Sequence, residues 1–329
     1  MPDASSTLGA AWATAYHAPV MAAEVLGHLA PLAERPDATA IDGTLGGGGH
    51  ALALLEAGFR VYGFDRDPDA RRAAGDRLRP YADAGRFTPV AANYADVDLA
   101  LPAVTADAVL LDLGISSHQV DDAARGFSFR PGAPLDMRMN TAEGEGAADV
   151  LNAWGEAALA RVFRDYGDEP RAARLAREVV RRRETRPFAT ADDLVNAVRG
   201  ALGPRTGPGD FARLFQAVRI AVNDELAGLD RALPALRDRL RPGGRIAVLS
   251  YHSGEDRRVK HAFRAWSTAC ECPPRQPACT CGREPLGTVV TRRAETAGAD
   301  EVARNPRARS AKLRVWERAG AGAGAGVAA

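Results

Sequence analysis

The chain has 329 residues, more than one apolar core usually serves, so one enlarged domain or two domains are expected. Lys+Arg of 43 against Asp+Glu of 42 leaves a net charge of +1, which excludes attraction to nucleic acid by bulk charge alone; any basic surface must be local. No apolar run reaches the roughly 18 residues that span a bilayer, and the N-terminus lacks a basic start followed by an apolar block, so a cytoplasmic protein with no membrane partner is expected.

In chain order, residues 1–15 are small and polar with no period, and are expected to be a disordered tail. Val25, Leu26 and Leu29 then recur at helical spacing. Thr39, Ala40 and Ile41 suit a buried strand, which breaks into Gly43 and then Gly46 to Gly49 before a helix that starts near His50. A strand, a glycine turn and a helix N-terminus bring unpaired N–H groups and the positive end of the helix dipole together, as a nucleotide-type site requires. A purely structural glycine turn is the competing reading at this point.

Arg60 to Phe64 is a second strand ending in Asp65, which lies 19 residues past Gly46. That is the spacing of the acidic residue that accepts ribose hydroxyl hydrogen bonds in dinucleotide and nucleoside folds. Asp67-Pro68 caps a helix running to about Leu78. Phe87 to Ala91 is a third strand, weakened by Pro89, with Asn93-Tyr94 after it; Ala106 to Leu111 is a fourth, nearly all apolar, ending in Asp112-Leu-Gly-Ile-Ser-Ser117. Strands alternating with helices predict an α/β fold with a Rossmann-like, doubly wound parallel sheet, whose ligands sit outside the carboxyl ends of its strands. Asp42, Asp65, Tyr94 and Asp112 all fall at such ends.

The strand rhythm then stops. Residues 119–209 read as an inserted all-helical domain for substrate recognition, between the two parts of a discontinuous sheet domain at 16–118 and 210–318, with a second disordered tail at 319–329. On the predicted helix from Arg171 to Arg186, Arg171, Arg174, Arg177, Arg181 and Arg182 share one face, and Ala172, Leu175, Ala176, Val179 and Val180 share the other. A solvated face and a phosphate-contacting face both fit. Only Lys260 and Lys312 are lysines, so the abundance of arginine reads as compositional bias. Phe211 to Asn223 and Leu226 to Leu240 are helical; Pro242-Gly243-Gly244 turns into a strand at Arg245 to Leu249, with Ser250-Tyr-His-Ser253 at its carboxyl end. Val289 to Thr291 and Ala311 to Trp316 are the last two expected strands.

All four cysteines lie together, as Cys270-Glu-Cys272 and Cys279-Thr-Cys281. With turn residues between the pairs, they suit a structural zinc site; a redox-labile pair and plain free thiols are the alternatives.

A nucleoside-binding sheet serves hydride or methyl transfer. Gly46-x-Gly48-x-x-Ala51 fits a loose dinucleotide pattern, but no second mononucleotide half follows, and the Asp112 to Ser117 turn occupies the tip of the fourth strand. The ordered set of Ile41-Asp-Gly-Thr-Leu-Gly-Gly-Gly-Gly-His50, Asp65-Arg-Asp-Pro68, Leu111 to Ser117, Asp121-Asp122 with Arg125 to Phe129, Pro134-Leu-Asp-Met-Arg-Met139, Phe215 to Ile220, Ser250 to Ser253 with Glu255-Asp-Arg257, and Asn305 to Ser310 resembles the MraW family. These are S-adenosylmethionine-dependent methyltransferases of the exocyclic N4 of a cytidine in small-subunit (16S) ribosomal RNA. Gly254, Leu214 and Asn140 depart from the family's usual residues and affect local packing only.

The resemblance implies that Gly48, Gly49 and His50 hold the methionine part of S-adenosyl-L-methionine, Asp65 the ribose, and Tyr94 the adenine, with Asp112 and Gln119 completing the pocket. Asp112, Ser116 and Ser117 are the expected catalytic turn, accepting N–H hydrogen bonds from the target amine so that methyl passes directly, without a covalent enzyme intermediate. The loop from Phe127 to Met139 is expected to read a base turned out of the RNA, with Phe127, Phe129 and Met137 stacking and Asp136 or Arg138 reading polar edges, and with His252 beside the site; an ordinary lid core is the competing reading. Arg219, Arg307 and Arg309 are the expected phosphate contacts. The expected partner is ribosomal RNA or an assembling small ribosomal subunit, and the oligomeric state is open, a homodimer included. Methylation of a DNA base and a non-enzymatic RNA-binding role are the rival readings.

Overall fold

The computed structural model describes Trp12 and residues 19–273, 276, 278 and 280–320, apart from the side chain of Ser117. The rest of the expected N-terminal tail, residues 321–329 and Cys279 lie outside the described residues. The chain divides into two compact units, Met1–Gly114 with Gly228–Ala329, and Ile115–Ala227.

The first unit is built on seven strands, β1 (Thr39–Asp42), β2 (Arg60–Phe64), β3 (Phe87–Val90), β4 (Ala106–Asp112), β5 (Leu240–Ser250), β6 (Gly287–Val289) and β7 (Lys312–Arg318). They form one sheet in the order β3-β2-β1-β4-β5-β7-β6, with β1 to β5 parallel and β7 antiparallel to both of its neighbours. Alternation along each strand sorts its side chains between two cores. Ala108 and Leu110 of β4 join Ala40, Val61, Ala247 and Leu249 in the core that holds Leu29, Leu54 and Leu55. Val109 and Leu111 join Ile41, Phe64, Ile246 and Val248 in the core that holds Leu233, Leu236 and Phe263. A sheet covered on both faces explains why β4 reads as a continuous apolar run. The expected doubly wound α/β sheet is the one observed.

Pro89 costs nothing here, because β3 is an edge strand and the missing N–H faces away from the ladder. β5 starts at Leu240, earlier than expected, because a register irregularity between Ala106 and Ala108 accommodates Arg241 to Gly244 within the pairing. At the amino-terminal end of β4, buried Asp107 ties three segments together: it accepts the N–H of Thr39 at 3.0 Å and bonds Arg35 at 3.2 Å and Arg241 at 2.7 Å. Trp12 departs from the expected loose tail. It is buried, its indole N–H donates to Glu56 at 2.7 Å, and its carbonyl accepts from Arg77 at 2.7 Å.

In the second unit, the helices Ala147–Ala153, Glu156–Arg161, Ala172–Arg183, Ala191–Leu202 and Pro208–Asn223 enclose a core that includes Leu151, Phe163, Leu175, Val179, Leu194, Val198 and Leu214. Its limits at residues 115 and 227 take in the whole helix Pro208–Asn223, which the sequence reading assigns to the sheet domain from residue 210. The apolar face of Ala172–Arg183 packs inward as expected. On its outer face, Glu178 bonds Arg181 at 2.7 Å and Arg182 at 2.6 Å, so part of the arginine face is neutralised within the helix.

Candidate active site

The strand order of the sheet reverses between β1 and β4, and in such sheets the crevice beyond the carboxyl ends at that point is where ligands bind. β1 ends there with Asp42. Glycine follows at Gly43, where a Cβ would stand 2.4 Å from Leu111 Cδ2 and 3.1 Å from Tyr94 Cβ and would force those side chains to move. Thr44 reaches across to β4, its hydroxyl accepting the N–H of Asp112 at 2.6 Å. The chain then turns through Gly46 to Gly48, where φ is +75° at the helix N-cap, and the helix Gly49–Ala57 begins with His50 inside its first turn.

Asp65, just beyond β2, holds this turn in shape. Its Oδ2 accepts the N–H of Gly46 at 2.9 Å, and its Oδ1 accepts that of Asp67 at 2.8 Å. Burial pushes the carboxyl up to about 6, against the pull of these two N–H groups. Asp42 is driven to about 6 as well, first by burial; the charge of His50 and the N–H of Thr44 oppose the rise. His50 is raised too. Burial alone would lower it, but the carboxylates of Asp112 and Asp42 outweigh that effect.

Two buried polar atoms of this cluster, Asp42 Oδ2 and His50 Nε2, have no hydrogen-bond partner among the described residues. His50 Nε2 stands 3.5 Å from Asp112 Oδ2, an ion-pair separation rather than a formed hydrogen bond. On its other side Asp112 Oδ1 accepts the hydroxyl of Tyr251 at 2.6 Å. Tyr94, half-buried, opens the turn Tyr94–Asp96, which Asn93 caps by accepting the N–H of Ala95 at 3.1 Å. Thus the structure gathers Gly48, Gly49, His50, Asp65, Tyr94 and Asp112 at the carboxyl ends of β1, β2, β3 and β4. Asp42 and Tyr251 belong to the same cluster and receive no role from the sequence. Their one signal is position, at the ends of the first and fifth parallel strands.

The other expected residues fare differently. Ser116 and Gln119 belong to the second unit and form a capping box: the Ser116 hydroxyl accepts the N–H of Gln119 at 3.2 Å, and Gln119 Oε1 accepts the N–H of Ser116 at 3.0 Å. The neighbouring Ser117 is the first residue of the helix Ser117–Asp121. Phe127 is buried in that unit's core, which removes it from base stacking, whereas Phe129 is 37% exposed and sits 6.0 and 5.9 Å from the rings of Phe211 and Phe215. Asp136 and Arg138 are paired with each other at 3.0 and 2.7 Å across buried Met137, whose φ of +60° is a strained conformation for that side chain. Burial pushes Asp136 up, but Arg138 holds it below its ordinary value overall.

Arg219 is a correction. It is buried, and its guanidinium makes a bidentate pair with Glu225 at 2.8 and 2.9 Å, so it is not available to a phosphate. His252 caps the helix Ser253–Trp266, its Nδ1 accepting the N–H of Gly254 at 3.2 Å, while its buried Nε2 stands 3.2 Å from Glu255 and has no hydrogen-bond partner among the described residues. Arg307 and Arg309 are exposed on the turn Pro306–Ser310. The sulfurs of Cys270, Cys272 and Cys281 lie within 4.8 Å of one another.

A profile of the MraW methylase family matches residues 14–319. A protein of Gemmatimonas aurantiaca is 59% identical over 306 residues, covering 92% of this chain and 96% of that protein. Relatives from Symbiobacterium thermophilum, 47% identical over 308 residues, and Geotalea uraniireducens, 48% identical over 314, cover 91% and 92% of this chain and 95% and 98% of their own lengths. All three carry the name ribosomal RNA small subunit methyltransferase H.

Proposed function

We propose, from the premise that this chain belongs to the MraW methylase family, that it transfers methyl from S-adenosylmethionine to the exocyclic N4 amine of a cytidine in small-subunit ribosomal RNA. Family membership makes it a methyltransferase, and no helix among the described residues is long and apolar enough to cross a membrane. A cytoplasmic location, beside the ribosomal RNA it acts on, follows from the same reading.

The observation that supports the cofactor most directly is the polar cluster at the switch point. Asp42 Oδ2 and His50 Nε2 are buried polar atoms without a hydrogen-bond partner among the described residues, a state that costs stability and suits a site meant to meet a polar ligand. Asp65 stands at the tip of β2, where a ribose is read, and the left-handed turn at Gly46 and Gly48 lets backbone N–H groups approach. Asp65 would hold the ribose hydroxyls, Tyr94 would flank the base, and Gly48, Gly49 and His50 would hold the amino-acid end, with Asp112 completing the pocket. When bound, the cofactor supplies a sulfonium-activated methyl group.

The work left to the protein is to aim a poor nucleophile, since the cytosine amine shares its lone pair with the ring. In this reading Asp112 and the carbonyls of the turn that follows it accept the amine N–H groups, which returns electron density to nitrogen and gives its proton an exit. Ser116 caps the helix Ser117–Asp121 that follows this turn. No thiolate nucleophile takes part, in keeping with cysteines confined to residues 270–281. Phe129 offers the exposed stacking surface, and Arg307 and Arg309 the phosphate contacts.

Tritiated-methyl transfer tests the reading: label is expected on cytidine of small-subunit RNA and not on duplex DNA. Label on DNA, or none on either substrate, would overturn it.

A zinc ion in the cysteine loop is the second part of the proposal. Sulfurs around a tetrahedral zinc at about 2.3 Å stand roughly 3.8 Å apart. The Sγ atoms of Cys270 and Cys281 are 3.8 Å apart, and backbone N–H groups of Cys272 and Thr280 point at Cys270 Sγ and Cys272 Sγ, both at 3.4 Å. Metal analysis of protein prepared without chelator should give one zinc per chain, lost in Cys270→Ser; substoichiometric zinc in the unaltered protein refutes this part.

A further inference from the structure

Tyr251 stands one residue past the end of β5, two residues beyond Leu249, whose partner across the sheet is Asp112. Both of its ends are fixed. Glu255 accepts the Tyr251 backbone N–H at 2.8 Å while closing the capping box of the helix Ser253–Trp266, and the ring packs against the apolar core that contains Leu249. The hydroxyl donates to Asp112 Oδ1 at 2.6 Å. This length belongs to the strong class of hydrogen bonds made to an ionised acceptor. Burial and the neighbouring Asp112 push the phenol well above its ordinary value, so it stays a donor.

Asp112 is approached from three directions. Tyr251 takes Oδ1, His50 Nε2 lies 3.5 Å from Oδ2, and the backbone N–H is tied to Thr44 at 2.6 Å. The first of these is a formed hydrogen bond to the carboxylate, and it sets the direction in which Oδ1 points.

We infer that Tyr251 is a positioning residue, which holds the Asp112 carboxylate in the orientation that binds S-adenosylmethionine. The inference rests on the cofactor reading above and adds to it a residue that acts through Asp112. It also gives the Ser250-Tyr-His-Ser253 segment a purpose: the tyrosine serves the site, while the histidine starts the next helix.

The test is a double-mutant cycle on the full chain, with S-adenosylmethionine affinity read by calorimetry and folding by urea denaturation. Absence of binding to the unaltered protein would remove the cofactor reading itself. Given binding, Tyr251→Phe should weaken it about tenfold or more, the range for a hydrogen bond to a charged group. On an Asp112→Asn background the same change should cost less than about twofold, because the two residues act as one unit. Replacement of Tyr251 by 4-aminophenylalanine, which keeps a donor at the ring's end, should restore most of the affinity, and this arm remains decisive if Tyr251→Phe also lowers the urea midpoint. Unchanged affinity in Tyr251→Phe, a full tenfold loss that persists beside Asp112→Asn, or failure of the amino analogue to rescue would each overturn the inference.

Discussion

Asp42→Asn keeps the shape of a side chain while removing its charge, and the structure dictates how that exchange depends on pH. The carboxyl is buried at the end of β1, Oδ2 lacks a hydrogen-bond partner among the described residues, and the pKa is raised from 3.8 to about 6. A folded-state pKa above the unfolded one means that the native protein favours the protonated carboxyl. That contribution is present in full below about pH 4 and is lost as pH rises through about 6. A rise of about 2 in pKa corresponds to about 3 kcal/mol. The stability difference between Asp42→Asn and the unaltered protein should therefore move by about 3 kcal/mol in the variant's favour between pH 4 and pH 8. Urea denaturation at several pH values measures it. His50, Asp112 and Asp65, which each lose a charged neighbour, are counted with Asp42. A gap that stays constant with pH, or that moves toward the unaltered protein as pH rises, would refute the reasoning. Calorimetry on the same variant should show weaker S-adenosylmethionine binding, the return for a destabilising charge.

Asp65→Ala removes the acceptor for two backbone N–H groups and the proposed ribose contact, so S-adenosylmethionine affinity should fall roughly thirtyfold or more; unchanged affinity in calorimetry would separate Asp65 from the ribose. Arg219→Ala leaves Glu225 buried without its partner and should cost about 3 to 5 kcal/mol in urea denaturation while leaving the salt slope of RNA binding as it was. Arg307→Ala and Arg309→Ala should behave in the opposite way, with little effect on stability and a salt slope lower by about 1 for each residue; an unaltered slope removes them from the RNA surface.

The parts of this protein that could be read from its sequence are those that a local rule controls. Asp65 is found by its distance from Gly46, and the two share a hydrogen bond across that interval. The strand β4 is found by its unbroken apolar run, because both faces are covered. Harder to read are residues whose roles depend on where distant segments meet. Arg219 looks like any exposed base on an arginine-rich chain, and only the turn at Asp224, with a φ of +51°, brings Glu225 back onto it. Phe127 and Phe129 are two residues apart and chemically alike, yet one is core and the other surface, since the loop's course and not its composition orients them. Tyr251 is joined to Asp112 across 139 residues by the pairing of β4 and β5, for which no local pattern gives the register.

β4 carries an aspartate at each end, and their surroundings differ. Asp107 is matched by two guanidinium groups and a backbone N–H, whereas Asp112 faces a phenol and an imidazole in a cluster that includes a second carboxylate. One strand thus separates the fastening of the sheet from the polar cluster of the candidate site by five residues, about 17 Å along an extended chain. Substitutions around Arg35, Thr39 and Arg241 act on the fastening of the sheet at a distance from the end proposed to bind the cofactor.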